Sequence, residues 1–254
     1  MLLFELIQAI NMGVDVSTEP ISKLMCLLPV RNGGHILRRY FDSVRTFCSG
    51  VIALDDGSTD DTRSVLAAEG MVKALLINQP RPSYRGWNDS TNRQRLLDAC
   101  EDFSPQWVIW IDADEIIPAT DIPLLRRFLD TEANPALAYG FEVLRMIGDE
   151  NHYDKNKLWG YRMFAYRQGY TLPRRTLHFE PVPVQIDRCA WKRTRLRIAH
   201  FGSLTATMRR ARYAKYREAD PNRQWQSSYS ELLDKPGHIW DLCPLAEGTK
   251  IVIE

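Results

Sequence analysis

With 254 residues the chain can bury one sizeable α/β core plus a short extension, and it leaves little room for two independent domains. Its 33 Lys and Arg nearly balance its 32 Asp and Glu, which excludes a global field that would hold it on nucleic acid or an anionic membrane. Hydrophobic residues at 44% and charged residues at 26% exclude a disordered chain.

Residues 1–22 carry an apolar, helix-prone stretch and a polar turn, VSTEP, and are read as an N-terminal arm or helix outside the core. A strand from Leu24 to Val30 follows, then a glycine turn, then apolar residues at helical spacing (Ile36, Leu37, Tyr40, Phe41, Val44, Phe47). The pattern repeats with a strand at Val51–Leu54, turn and N-cap chemistry at Gly57–Asp60, and a helix over Thr62–Glu69 stopped by Gly70. A third strand, Val72–Ile77, leads through the loop QPRPSYRGWND to a helix over Ser90–Glu101 and to the apolar run Trp107–Ile111. Strands alternating with helices predict a mostly parallel sheet covered on both faces.

After Pro118 the rhythm changes. A helix at Ile122–Leu129 precedes strand-like runs at Leu137–Met146, Tyr161–Tyr166, Val182–Ile186 and Leu196–Phe201, an antiparallel half joined to the α/β half. Thr205–Glu218 reads as a basic helix. The expected domain is therefore residues 23–204, with an α/β half at 23–118 and a largely antiparallel half at 119–204, followed by a helical extension and tail at 205–254.

Five cysteines are odd in number, widely spaced and without a CxxC pair, which argues against a disulfide framework and a zinc site. MLLFELIQAI lacks a basic n-region, and no apolar run reaches the roughly 18 to 20 residues of a membrane helix. The expectation is a cytoplasmic protein, with peripheral association at the inner membrane face left open.

Two acidic strand ends carry the chemistry. In a parallel sheet the residues just after each strand gather on one edge, where ligands bind. Asp55 and Asp56 end one buried strand; Asp112 and Asp114 end another. Four carboxylates on one rim repel one another unless a cation or hydrogen-bond donors offset their charge, and all-oxygen ligands suit Mg2+ or Mn2+. DDGSTDDT is also what a plain strand-to-helix turn would use.

PVRNGG, VIALDDGSTDDT and WVIWIDADE, in this order and each at a strand end, resemble glycosyltransferase family 2, specifically the subgroup with a DADE-type DxD sequence. The likeness covers about Leu24–Glu115 well and the rest loosely. It implies a GT-A fold: a Rossmann-like, mostly parallel sheet flanked by helices, with a smaller antiparallel acceptor half. It also implies inverting transfer of a sugar from a UDP-, dTDP- or GDP-linked donor, with Mn2+ or Mg2+ on the diphosphate. Carried onto this chain, the donor site takes Pro29 and Arg31 after the first strand, Asp55 or Asp56 for the nucleoside, and Asp112 and Asp114 for ribose, diphosphate and metal. Within NDSTNRQRLLDAC, Arg93 is placed to hold a phosphate, although Gln94 stands where related enzymes have Asn; a solvated helix arginine is the other reading.

In RRTLHFEPVPV, Glu180 is the candidate base and His178 its partner, resembling a His-Glu pair with Phe179 inserted. On a strand the two would share one face. An ion pair of Glu180 with Arg174 or Arg175 is the competing reading, and Asp114 and Glu115 stay open as bases. His200 is a candidate third metal ligand or a structural hydrogen-bonder. Trp159, Tyr161 and Arg162 could form an acceptor wall, or Trp159 could belong to the core. The basic helix could face an anionic or lipid-linked acceptor, or solvent. A glycan, a lipid-linked sugar or a small molecule would each serve as acceptor. Two rivals remain: a non-catalytic nucleotide- or sugar-binding module on the same fold, and a sugar nucleotidyltransferase, for which PVRNGGH is too short a phosphate loop.

Overall fold

Seven consecutive residues, Leu24–Val30, form β1, and all but Pro29 are buried. An apolar run with no polar face suits a strand covered on both sides. The structure, a computed structural model, describes residues 21, 23–154, 158–246 and 248–253. Apart from Ile21, the expected N-terminal arm lies outside the described residues.

From β1 the chain turns into α1 (Gly34–Val44), which buries Leu37, Tyr40, Phe41 and Val44. Next come β2 (Gly50–Asp55, buried throughout), α2 (Thr62–Ala68) and the half-buried β3 (Val72–Ile77). Helix α3 (Asp89–Asp98) is capped by Asn88, whose side chain accepts from the Thr91 N–H at 3.0 Å. It leads to β4 (Trp107–Trp110), buried at all four positions.

The second half contains β5 (Glu115–Ile116), α4 (Ile122–Thr131), β6 (Ala138–Arg145), β7 (His152–Tyr153), β8 (Leu158–Ala165), β9 (Trp191–His200), α5 (Ala206–Ala219) and β10 (Trp240–Asp241). Eight strands make one sheet in the order β3-β2-β1-β4-β8-β6-β9-β5, and β7 pairs with β10 in a small antiparallel sheet. The first four strands are parallel. Strand β8 runs antiparallel to both β4 and β6, and β5 antiparallel to β9, while β6 and β9 are parallel. This is the α/β fold expected from the sequence, a parallel half continued by a largely antiparallel one.

The sheet has a core on each face. One gathers Leu37, Tyr40, Phe41, Phe47, Leu125 and Phe128 over β1, β2 and β6; the other packs Leu96, Leu97 and Cys100 with Val108, Trp110 and Phe164. The chain's end joins the first core, with Ile251 fully buried and its carbonyl accepting from Arg195 N–H at 2.9 Å.

One expected strand is absent. Val182–Ile186 forms no strand, although Val182 and Ile186 are buried as an apolar signal requires. Pro181 and Pro183 each lack the N–H a ladder needs, and the segment instead lies against β4, with Pro181 C=O accepting from Trp110 Nε1 at 2.9 Å. Strand β9 starts five residues earlier than its apolar run, at Trp191, because exposed Arg193 and Arg195 alternate with buried Thr194 and Leu196 there. All five cysteines are free. Among the described residues no helix is long and apolar enough to cross a membrane.

Candidate active site

The C-terminal ends of β1, β2 and β4 open onto one cleft of about 740 Å³, whose other walls come from α3, the residues after β9, and α5. Sheet order explains this convergence: β1 lies between β2 and β4, so the turns after these three strands are neighbours. Pro29, Arg31, Asp56, Arg93, Asp112, Asp114 and His200 all line the cleft.

The two aspartates after β2 have separate environments. Asp55 is fully buried and accepts from Ser58 N–H at 2.9 Å and Arg63 Nε at 3.1 Å, so it fastens its own turn and does not line the cleft. Asp56 does line it, accepting from Asn78 Nδ2 at 2.7 Å and from the Arg81 guanidinium. Gly57 allows the close approach of these loops: its φ is +71°, and a Cβ there would meet the Gln79 carbonyl oxygen at 2.3 Å. Arg31 pins the loop after β3 by donating to Ser83 C=O at 2.6 Å and Arg81 C=O at 2.5 Å, with its guanidinium 4.3 Å from the Tyr84 ring centre.

After β4 the chain makes a reciprocal turn. Asp112 N–H donates to Glu115 Oε2 and Glu115 N–H donates to Asp112 C=O, both at 2.9 Å. Asp112 Oδ1 accepts from Arg93 Nη2 at 2.8 Å, and Arg162 Nη1 lies 3.7 Å from Oδ2. Burial by itself would raise the Asp112 carboxyl, but the Arg93 and Arg162 guanidiniums hold it well below the usual carboxylate range. Glu115 goes the other way. Burial pushes it up to about 7, with Asp112 and Asp114 adding to the rise while Arg162, 2.8 Å away, opposes it.

Asp114 is the partly open member of the turn. Its Oδ2 is 3.5 Å from His200 Nε2, and its C=O accepts from Phe201 N–H at 2.8 Å. The β5–β9 register sets His200 opposite Glu115, next door to Asp114. Burial is the largest influence on His200 and lowers it to about 4, so its imidazole is neutral at pH 7. Among the described residues no group of three or more His, Cys, Asp or Glu is arranged to hold a metal. Asp114 and His200 would supply two ligands to a Mg2+ or Mn2+ ion, leaving its other positions to waters or ligand oxygens. Asp112, already paired with two guanidiniums, fits its shell poorly.

The remaining expected site residues lie outside the cleft lining. Glu180 Oε2 accepts from Tyr161 N–H at 2.9 Å, making no ion pair with Arg174 or Arg175, and its charge contributes to the raised value of Arg162. The segment around it is not a strand, so the shared face for His178 and Glu180 does not form. His178 has φ +55°, and its Nε2 is 3.0 Å from Tyr229 Oη. Trp159 donates through Nε1 to Thr194 C=O at 2.9 Å, Tyr161 packs 4.8 Å from Trp191, and the half-buried Arg162 lies between Asp112 and Glu115. Gln94 turns away from the cleft toward Asp98 and Leu172 N–H, while Asn92 lines it.

Sequence reasoning named the basic helix as a possible acceptor face but placed no residue of it in the cleft, and it passed over the aromatic loop beside it. Tyr84 and Trp87, from the loop after β3, and Met208, Arg212, Lys215 and Glu218, from α5, also line the cleft. The cleft thus draws residues from both sides of the boundary expected at 204. The available signal was the four- and three-residue spacing of Met208, Arg212 and Lys215, one face of a helix.

A sheet whose parallel strand ends bring acidic and basic side chains to a single crevice has the architecture of an α/β ligand-binding fold. More specifically, residues 26–196 match the family model described as Glycosyl transferase family 2, and the chain belongs to that family. It is similar to the uncharacterized proteins Rv3786c of Mycobacterium tuberculosis and Mb3815c of Mycobacterium bovis, at 29% identity over 104 residues in each case. Those alignments take in 40% of this chain and 25% of the relatives, so only about a quarter of their length is spanned. Among solved structures, a mannosyltransferase from Pyrobaculum calidifontis in complex with GDP-Man and Mn2+ is 13% identical, over 91% of this chain and 74% of that one, with a TM-score of 0.48. TarS of S. aureus is 12% identical over 83% of this chain and 42% of that one, also with a TM-score of 0.48.

Proposed function

We propose that this chain transfers a sugar, with inversion, from a nucleoside diphosphate sugar to an acceptor hydroxyl. The observation that carries the reading is the meeting of Asp56, Arg93, Asp112, Asp114 and His200 in one cleft, from elements far apart in sequence. Asp56 and Pro29 form the nucleoside end, with Arg31 holding the loop that closes it. Asp112, fixed by Arg93 and Arg162, accepts hydrogen bonds from the ribose. Arg93 lines the cleft, and its Nη1 is buried without a hydrogen-bond partner among the described residues, a donor that a phosphate oxygen seated against the guanidinium would satisfy.

Asp114 and His200 would hold Mg2+ or Mn2+, which when bound supplies charge stabilisation to the departing diphosphate. In the reaction the bond from sugar C1 to the diphosphate oxygen breaks, its electron pair leaving on that oxygen. The acceptor oxygen bonds C1 from the opposite face and gives its proton to a base. We assign the proton to Glu180, whose Oε2 is anchored on Tyr161 N–H and whose Oε1 has no partner among the described residues. The acceptor is a glycan, lipid-linked sugar or small molecule.

The test is a thermal-shift panel of UDP-, dTDP- and GDP-sugars with Mn2+, followed by assay of nucleotide release. Stabilisation by one donor with release on adding acceptor supports the reading; no stabilisation by any donor overturns it. Glu180→Gln should bind donor normally and lose transfer. Because Glu180 lies outside the cleft lining, a second reading has a specific footing: a module that binds the donor without turning it over, which the release assay separates.

A further inference from the structure

Helix α5 presents Met208, Arg212 and Lys215 to the cleft at four- and three-residue spacing, so two cations face inward from one side of one helix. Neither forms a salt bridge among the described residues. Arg212 Nη1 makes long contacts, 3.4 Å to His200 Nδ1 and 3.4 Å to Ser203 Oγ, and its guanidinium also has a side-chain hydrogen bond to Tyr216 and the Asp114 charge nearby. Lys215 Nζ is enclosed by aromatic faces, 4.5 Å from the Trp87 ring centre and 5.5 Å from those of Tyr84 and Tyr216. Ring faces attract an ammonium but leave its N–H donors unused.

The helix is held in this position independently of those two side chains. Thr205 caps it by accepting from Met208 N–H at 3.2 Å, the buried Arg209 donates to Ser203 C=O at 3.0 Å, and Glu218 accepts from Tyr84 N–H at 3.1 Å. Two half-buried cations without a salt-bridge partner among the described residues, fixed over a cleft, fit an anion with several oxygens. Their placement says which anion: Arg212 adjoins His200, at the phosphate end, and Lys215 lies against Trp87 and Tyr84, toward the nucleoside end.

We propose that Arg212 and Lys215 grip the diphosphate of the donor and stabilise the charge it gains as the C1–O bond breaks, which makes both catalytic residues. This rests on the reading that the cleft binds a nucleoside diphosphate sugar. Donors already aimed at the leaving oxygens cost no reorganisation when the charge develops. The helix therefore belongs to the catalytic unit, although it follows the segment matched by the family model, residues 26–196.

The experiment compares wild type, Arg212→Gln, Lys215→Met and the double variant by calorimetry with UDP, GDP and dTDP, each beside its nucleoside. Arg210→Gln, on an exposed side chain of the same helix, is the control. Each single variant should weaken binding of the accepted nucleoside diphosphate by about 10-fold, with affinity for the nucleoside unchanged and melting temperature kept. Turnover should fall by about 100-fold for Arg212→Gln. A double variant that binds the diphosphate as wild type does overturns the proposal, and an altered acceptor KM alone would assign the cations to an anionic acceptor instead. Failure of all three diphosphates to bind wild type would remove the donor site itself, an outcome distinct from failure of the cations. Arg212→Lys keeps the charge and should recover part of the affinity, which a purely structural arginine would not show.

Discussion

Asp114 Oδ2 and His200 Nε2 face each other across 3.5 Å at the open end of the turn after β4. A neutral imidazole beside a carboxylate is a ready pair of ligands, and no other described residue completes the set. Asp114→Ala and His200→Ala should each leave the fold intact and remove the Mn2+ dependence of nucleoside diphosphate binding. Even an outer-shell change costs about 10- to 100-fold in metal affinity, so loss of a ligand should cost at least that much. Titration with and without Mn2+ measures it, and a metal effect equal to wild type in both variants would eliminate the pair as ligands.

Gly202 guards that pair. A Cβ at this position would lie 2.2 Å from Asp114 Oδ2 and 2.7 Å from His200 Cε1. The carboxylate is partly exposed and can swing aside, so Gly202→Ala should fold normally while displacing Asp114. The expected result is a melting temperature near wild type together with weaker Mn2+-dependent nucleotide binding. A large fall in stability would mean that the carboxylate cannot move.

Much of this arrangement was legible in the sequence, for physical reasons that also set the limit. Asp56, Asp112 and Asp114 could be found because apolar runs of four to seven residues mark buried parallel strands, and a parallel sheet sends their ends to one edge. The unequal fates of Asp55 and Asp56 could not, since neighbouring residues at a strand end differ in which way their side chains point. Val182–Ile186 carried a genuine burial signal whose prolines changed its meaning. Arg212 and Lys215 read as ordinary charges on a basic helix, because the sequence does not say what such a helix faces.

A buried ion pair inside the second half of the fold gives a stability prediction. Asp121, fully buried at the start of α4, accepts from Arg197 of β9 through Nε at 2.9 Å and Nη2 at 2.5 Å, and from Arg197 N–H at 3.2 Å. Arg197 Nη1 in turn donates to Cys243 C=O at 2.6 Å, holding the C-terminal segment. Asp121→Asn strands a buried guanidinium and should cost roughly 3–5 kcal/mol, as breaking such pairs does. Urea unfolding reads this directly; a loss under about 1 kcal/mol, the level of an exposed pair, would show that water reaches the site.

His178 supplies a pH dependence whose sign can be worked out. Because the Tyr229 hydroxyl donates to Asp220 Oδ2 at 2.8 Å, Nε2–H is the donor in the 3.0 Å contact with Tyr229 Oη, a hydrogen bond that the neutral and the protonated ring both make. Burial is the main influence lowering its pKa below the ordinary 6.5; Arg175 and Arg212 add to the fall while Asp220 and Asp89 oppose it. The unfolded chain then takes up a proton first as pH drops, and the stabilisation, complete above 6.5, is lost as pH falls through the folded value. His178→Asn removes the titrating ring while tolerating the left-handed backbone at φ +55°. Between about pH 7.5 and pH 5.5 the urea midpoint of wild type should therefore fall further than that of the variant. Parallel falls in the two proteins would show that His178 does not carry this dependence.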